Sequence, residues 1–263
     1  MAEIDLAHIA VTGASGSIGA ALARALAARH PRAHLSLLDV DLAPAERLAG
    51  ELGERAAAHR WDLADPERLE ESLADLVASH GPVDGLVNSA GVMDVGWFAR
   101  TDWRGARRLL DIDLVSPLRL MNLVAPTMIE RGAGAIVNLA SMAGRTPLRG
   151  CAYYGAAKAG LAMASEIAHL ELSARGVSVV TVYPGPVSSA LERRARAALA
   201  GGRIARIAPV GDATVLARRI VTALDRGQPR VIYPALYAAA DRALGVTRWF
   251  TARFSPDPIA PIS

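Results

Sequence analysis

The stretch TGASGSIG, Thr12 to Gly19, constrains this chain more than any other. Glycine is needed where a backbone takes positive φ or approaches a ligand closely, and such a turn binds anions best where it feeds a helix N-terminus. Both flanks meet that requirement. Upstream, AHIAVTG is an apolar run with β-branched residues; downstream, SIGAALARALAARH has the 3.6-residue spacing of a helix. Strand, glycine turn and helix predict a dinucleotide-binding turn, with Thr12, Ser15 and Ser17 placed to cap the helix or bond the loop and Gly19 letting helix and strand pack closely. The glycines alone are a weak signal, with a tight turn that binds nothing as the lesser alternative, so the rest of the chain has to decide.

Short apolar runs then alternate with helical stretches. HLSLLD, AAHRWD, VDGLVNSA, AIVNLAS, VSVVTVYPG and RVIYP read as strands. APAERLAGEL, DPERLEESLADLVASH, the long TDWRGARRLLDIDLVSPLRLMNLVAPTMIERG, YYGAAKAGLAMASEIAHLELSARG and DATVLARRIVTALDRG read as helices. Seven strands separated by helices predict an α/β fold, a doubly wound parallel sheet with helices on both faces. With 263 residues, 52% hydrophobic, and no stretch that reads as a linker, one domain spanning 1–263 is expected. Such sheets bind ligands at the carboxyl ends of their strands. Gly13, Asp39, Asp62, Asn88 to Gly91, Ser141, Pro184 and Gly185 occupy those ends.

Several function classes are set aside by composition. The net charge is +3 and the arginines are dispersed, so no nucleic-acid footprint is indicated. The single cysteine, Cys151, cannot form an internal disulfide and reads as a small unreactive thiol. The six histidines lack metal-ligand spacing and are expected to be structural or solvated, with no metal. MAEIDLAHIA lacks the features of a signal peptide, and no uncharged apolar run reaches the roughly 18 residues of a membrane span, so a soluble cytoplasmic protein is expected.

Asp39 closes the second strand, 26 positions after Gly13. An acidic group there accepts hydrogen bonds from the adenosine ribose and repels a 2′-phosphate. The glycine loop offers no cation for that phosphate, so NAD is favoured over NADP. Asp41, two residues on, is placed to share the role. An aspartate ending a strand is also a common turn former.

In YYGAAK, Tyr154 and Lys158 are four apart and share one helix face, whereas Tyr153 is rotated by roughly 140° from the lysine. A phenol titrates near 10, so serving as a proton acceptor near neutrality requires about three units, or about 4 kcal/mol. An ammonium about 4 Å away at an effective dielectric of ~20 supplies that much. Ser141 lies 13 residues ahead of Tyr154, at the end of the preceding strand, where its hydroxyl can reach the same substrate oxygen. The three suit proton transfer beside a hydride acceptor.

Taken together, the glycine loop, WDLAD, NSAG, IVNLAS, YGAAK and YPGPVSS resemble the short-chain dehydrogenase/reductase family over about Ile9 to Pro234. The resemblance implies a single-domain Rossmann fold with strand order 3-2-1-4-5-6-7. It implies Tyr154 as acid/base, Lys158 holding the nicotinamide ribose and lowering the tyrosine pKa, and Ser141 positioning the substrate oxygen. It places Gly13, Ser15, Gly16, Ser17, Ile18 and Gly19 at the pyrophosphate, Asp39 at the ribose, and Asp62 and Leu63 at the adenine. Asn88, Ser89, Ala90 and Gly91 fall under the cofactor, and Pro184, Gly185, Val187 and Ser189 fall beside the carboxamide.

Two positions depart from the family pattern. The middle glycine has moved to Gly16, leaving Ser17 where single-domain members carry glycine. The resulting spacing is similar to that of the extended branch, but only 29 residues follow Pro234, too few for its substrate domain. The single-domain branch with a variant loop is therefore expected. In LLDIDLVSP the family's asparagine aligns with Asp113, a carboxylate expected to alter the tyrosine pKa or the water relay to the lysine.

A substrate lid is expected over about 187–210, where Arg193, Arg194 and Arg196 read as a solvated face more readily than as a site for an acidic substrate. The helical tail, about 235–263, carries Leu236, Tyr237, Leu244, Trp249 and Phe250 among arginines and suits docking in an oligomer, with peripheral membrane contact as the alternative. Family members are usually homodimers or homotetramers formed through the helices of residues 103–130 and 153–175. The expected function is NAD(H)-dependent interconversion of a secondary alcohol and a ketone on an apolar small molecule. A non-catalytic dinucleotide-binding regulator and an NADP-dependent carbonyl reductase remain as alternatives.

Overall fold

The computed structural model describes residues 6–199 and 209–259. Among them, β1 (His8–Thr12), β2 (His34–Asp39), β3 (Ala56–Arg60), β4 (Gly85–Asn88), β5 (Gly134–Leu139), β6 (Val177–Pro184) and β7 (Arg230–Tyr233) form one sheet in the order β3-β2-β1-β4-β5-β6-β7. Every pairing is parallel. The connecting helices are α1 (Ser17–Arg29), α2 (Leu42–Leu52), α3 (Leu69–His80), α4 (Trp103–Leu110), α5 (Ser116–Arg131), α6 (Ala152–Leu172), α7 (Ala190–Ala197) and α8 (Ala213–Asp225). After β7 come α9 (Ala235–Arg242) and α10 (Leu244–Phe254).

The run of buried residues along the central strands follows from helices on both faces; every residue of β1, β4 and β5 is buried. Leu22 and Leu26 of α1 meet Leu216 and Ile220 of α8 over one face. Leu69 and Leu76 of α3 and Leu120, Val124 and Met128 of α5 cover the other. The reversal of direction between β1 and β4 opens the crevice where such sheets take ligands.

Three strand ends fall short of the sequence reading. Asp62, Ser89 and Ser141 lie just past β3, β4 and β5, because each belongs to a turn whose hydrogen bonds replace the ladder. The helix expected over 101–132 is not uniform: between α4 and α5, residues Asp111–Val115 form a π-helical turn. Residues 103–131 are long and apolar enough to cross a membrane by length and composition, a property the sequence reading missed, yet this segment packs Leu120, Val124 and Met128 into the core. The expected lid begins with α7 and continues into residues 200–208, outside the described residues. The expected tail is two helices rather than one, and its last residues, 260–263, also lie outside.

Candidate active site

The glycine turn is fixed by close approach. Gly13 has φ +64°, and a Cβ there would sit 2.6 Å from Ala90 Cα; a Cβ on Gly19 would fall 2.2 Å from Gly13 O. Gly16, the N-cap of α1, has φ −73°, and a Cβ there meets only Gly13 O, at 3.2 Å. Ser17 is exposed and already helical. The displaced glycine is therefore tolerated: neither position needs positive φ. No side chain caps α1, which corrects the expected capping roles of Thr12, Ser15 and Ser17. Its first N–H groups, on Ser17, Ile18 and Gly19, have no partner within the helix.

Thr12 and Ser15 are used elsewhere. Thr12 Oγ1 accepts from the N–H groups of Ser89 and Ala90, each at 3.2 Å, and so ties the turn after β4 to β1. Asp39 Oδ2 accepts from Ser15 N (2.9 Å) and Ser15 Oγ (2.6 Å), while its Oδ1 accepts from Asp41 N (3.0 Å). The carboxylate thus stitches the end of β2 to the glycine loop. Asp62 Oδ1 accepts from Ala64 N at 2.9 Å. A cleft of about 240 Å³ joins these parts, bounded by Gly13, Ser15, Gly16, Asp39, Asp62, Leu63 and the Ser89–Gly91 turn.

Asn88, expected under the cofactor, instead points into the sheet. Its Nδ2 donates to Asn138 Oδ1 (2.8 Å), Asn138 Nδ2 donates to Ser165 Oγ (2.9 Å), and Thr181 Oγ1 donates to the same oxygen (2.7 Å). This buried chain links β4, β5, α6 and β6. The sequence reading also missed Arg108, an exposed cation of α4 that lines the cleft one helical turn before Ile112. Arg108 and Ile112 are four apart on the face turned to the cleft, a spacing readable in the sequence once that face is known.

Behind the cleft, Asp113 and Lys158 form a buried ion pair, Oδ2 to Nζ 3.1 Å. The π-turn aims Asp113 inward, where Oδ1 also accepts from Val92 N at 2.7 Å. Lys158 Nζ donates to Leu139 O at 3.1 Å and lies 5.9 Å from the centre of the Tyr154 ring. Gly91 covers the pair, and a Cβ there would approach Asp113 Oδ2 to 3.2 Å. Burial raises the carboxyl pKa of Asp113 above its usual range, opposed by Lys158 and the Val92 N–H.

Tyr154, in the first turn of α6, is buried, with the Ser141 hydroxyl near enough to act on its phenol. Ser141 Oγ in turn accepts from Ala143 N at 3.0 Å. Burial pushes the phenol well above its ordinary value and the nearby Asp113 carboxylate adds to the rise, while the Ser141 hydroxyl opposes it. In the chain by itself the phenol is thus raised, where the resemblance implies a lowered value, and burial is the main cause. Burial holds the Cys151 thiol at about 11, so it stays protonated.

On the far side, Gly185 sits against Tyr237 of α9; a Cβ would come within 2.5 Å of the ring. Tyr237 therefore faces the loop after β6, not outward with Leu236, Trp249 and Phe250. Val187 is buried and paired with Gly211, and Ser189 Oγ caps α7 by accepting from Glu192 N at 3.0 Å. Arg196 pairs with Glu192, while Arg193 and Arg194 are exposed. Among the described residues no group of three or more His, Cys, Asp or Glu is arranged to hold a metal ion.

The short chain dehydrogenase family model matches residues 7–200. The chain is 34% identical to D-threitol dehydrogenase of Mycolicibacterium smegmatis over 204 residues, 76% of this chain and 78% of the relative. A short-chain dehydrogenase from Sphingobium yanoikuyae in complex with NADPH is 29% identical and superposes with a TM-score of 0.78, covering 94% of this chain and 96% of that one. A bulky-bulky ketone specific alcohol dehydrogenase from Comamonas testosteroni is 26% identical, with a TM-score of 0.75 and coverage of 95% and 94%. With the expected strand order observed around this site, the chain belongs to the short-chain dehydrogenase/reductase family and is an NAD(P)-dependent oxidoreductase acting on CH–OH groups.

Proposed function

We propose that the protein interconverts a secondary alcohol and a ketone on an apolar small molecule, using NAD(H), with Tyr154 as the acid/base. The observation that carries this reading is the buried Tyr154 phenol at the carboxyl edge of β5, with the buried Ser141 hydroxyl acting on it and Lys158 Nζ 5.9 Å from its ring centre. The cradle fits a dinucleotide: Gly13 and Gly19 let the loop close against Ala90, Ser89 and its own backbone, the tight turn into a helix N-terminus that a pyrophosphate needs. The N–H groups of Ser17, Ile18 and Gly19 and the turn at Ser89–Gly91 would hold it, and when bound it supplies the hydride donor or acceptor.

The chain's own groups handle the proton. Ser141 Oγ, already accepting from Ala143 N, has its hydrogen available for the substrate oxygen. In reduction, Tyr154 donates its hydroxyl proton to the developing alkoxide; in oxidation it takes that proton back. Burial and Asp113 both favour the protonated phenol, which suits a general acid and hence ketone reduction near neutral pH. Lys158, held between Asp113 and Leu139 O, would hold the nicotinamide ribose.

For the coenzyme, Asp39 beside Ser15 favours NAD, since a 2′-phosphate would meet a carboxylate. Arg108 in the same cleft and relatives described in complex with NADPH and NADP support the second reading, NADP(H). A homo-oligomer is supported by the exposed stripe Met163, Ile167 and Leu170 along α6. Replacing Tyr154 with Phe is the direct test. Turnover of secondary alcohols and ketones should fall by about 10²–10⁴ while NADH still binds, and retained turnover removes Tyr154 from the mechanism.

A further inference from the structure

Residues Ser255–Ile259, which follow α10, run across three loops at the carboxyl edge of the sheet. Arg149 clamps the segment at its start. Its backbone N–H donates to Ser255 Oγ (3.3 Å), and its guanidinium donates to Ser255 O (3.3 Å), Ala252 O (3.3 Å) and Asp257 Oδ1 (2.9 Å). Pro258 is buried against Gly150, where a Cβ would come within 2.7 Å of Pro258 Cγ and 3.0 Å of Val95 Cγ1. Gly150 O accepts from Gly96 N at 3.0 Å. At its far end the segment pairs with the lid: Pro258 bridges Leu199, and Ile259 N donates to Ala198 O at 3.0 Å.

One short stretch therefore binds the loop after β5 at Arg149–Gly150, which is itself bonded to the loop after β4 at Gly96, and the end of α7 after β6. Gly150 immediately precedes Cys151 and the first turn of α6, which carries Tyr154, and Cys151 is near enough to act electrostatically on that phenol. In an open α/β sheet the ligand crevice lies outside the carboxyl ends of the strands. The loops after β4, β5 and β6 bound that crevice on the side away from the glycine turn. Whatever spans them closes that side.

We propose that Ser255–Ile259 is the outer wall of the substrate site and limits the size of the alcohol or ketone that reaches Tyr154. The inference deepens the reading given under Proposed function and rests on it for the nature of the substrate. The wall is anchored by one arginine and pressed against one glycine, Gly150, so its position follows from the Arg149 clamp. Pro258, buried against Gly150 and lacking an N–H, holds the segment there by apolar packing.

The test uses the full chain with NADH and a graded series of methyl ketones from butanone to long-chain 2-alkanones. Binding is followed by nicotinamide fluorescence and turnover by its absorbance. Arg149→Ala and a chain ending at Phe254 are compared with the parent, and Asp257→Asn serves as the milder variant if either fails to fold. Loosening the wall should raise the preference for the longest ketone over the shortest by about tenfold, with NADH affinity unchanged. An unchanged size preference in variants that bind NADH overturns the proposal, as does an equal loss across the whole series. If the parent binds the ketones but turns over none, the proposed activity falls, and the wall is still judged on the shift in binding preference.

Discussion

Asp113 Oδ2 lies 3.1 Å from Lys158 Nζ, and the two side chains are 0% and 5% exposed. In the site proposed here the lysine cation is therefore shared with a carboxylate, where the family's asparagine offers a neutral partner. Asp113 raises the pKa of Tyr154, so removing its charge lowers it. With Asp113→Asn the phenolate forms at lower pH, and the acid limb of kcat/KM for alcohol oxidation should move to lower pH. Measuring that profile in parent and variant decides the matter; superimposable acid limbs mean that Asp113 does not act on the phenol.

Asp39 both repels a 2′-phosphate and holds Ser15 in the glycine loop. Asp39→Ala should weaken NADH binding and narrow the ratio of NADPH to NADH dissociation constants by about tenfold, equivalent to about 1.4 kcal/mol. Arg108→Ala should widen that ratio again by weakening NADPH. Fluorescence titration of both coenzymes against both variants reads this directly. A ratio that stays put in Asp39→Ala removes that residue as the discriminator.

The moved glycine makes its own prediction. A methyl at Gly19 would sit 2.2 Å from Gly13 O, whereas one at Gly16 meets only that same oxygen at 3.2 Å. Gly19→Ala should cost about 1–3 kcal/mol of stability and sharply weaken dinucleotide binding, while Gly16→Ala should be close to neutral. Urea unfolding with and without NADH distinguishes the two. Equal effects would mean that the loop is shaped by something other than close approach at Gly19.

At the opposite edge of the sheet, His8, His34, His59 and His80 gather, with His34 and His80 stacked at 3.9 Å between ring centroids and Asp84 beside His8. Burial, then the neighbouring histidines, lowers His34 from its usual 6.5 to about 4, and His8 and His59 are lowered too. Above about 6.5 folded and unfolded chains are both neutral here, and the cluster contributes no pH dependence. Below it the unfolded chain takes up protons that the folded one resists, so stability falls as the pH drops from 6.5 toward 4. Thermal unfolding should show that acid slope, and His34→Gln should flatten it. An identical slope in the variant assigns the acid sensitivity elsewhere.

Much of the architecture could be read from the chain because it is carried by local patterns. The parallel sheet follows from wholly apolar strands between periodic helices, and the order around β1 follows from the family resemblance. Tyr154 and Lys158 lie close on α6 as their spacing implied, Nζ 5.9 Å from the ring centre. What could not be read depends on three-dimensional neighbours. The four histidines are far apart in the chain and meet only because β1, β2, β3 and the end of α3 share one edge. Asn88 sits in a glycine-rich motif, yet its partners are Asn138 and Pro117, supplied by distant elements, and they turn it inward. Asp113 is visible as an oddity in the sequence, but the π-turn that swings it onto Lys158 has no signal in a helical pattern that reads straight through from 101 to 132. Tyr237 looked like part of an outward apolar face until Gly185 left room for its ring.

The bond between Ile259 and Ala198 has a practical side. Anything fused to the end of this chain pulls on the same segment that grips α7, whereas β1 enters the sheet at the opposite edge, beside the histidines. A purification handle on the amino-terminal side of β1 is therefore expected to spare the α7 contact, whereas one beyond Ile259 is expected to disturb it.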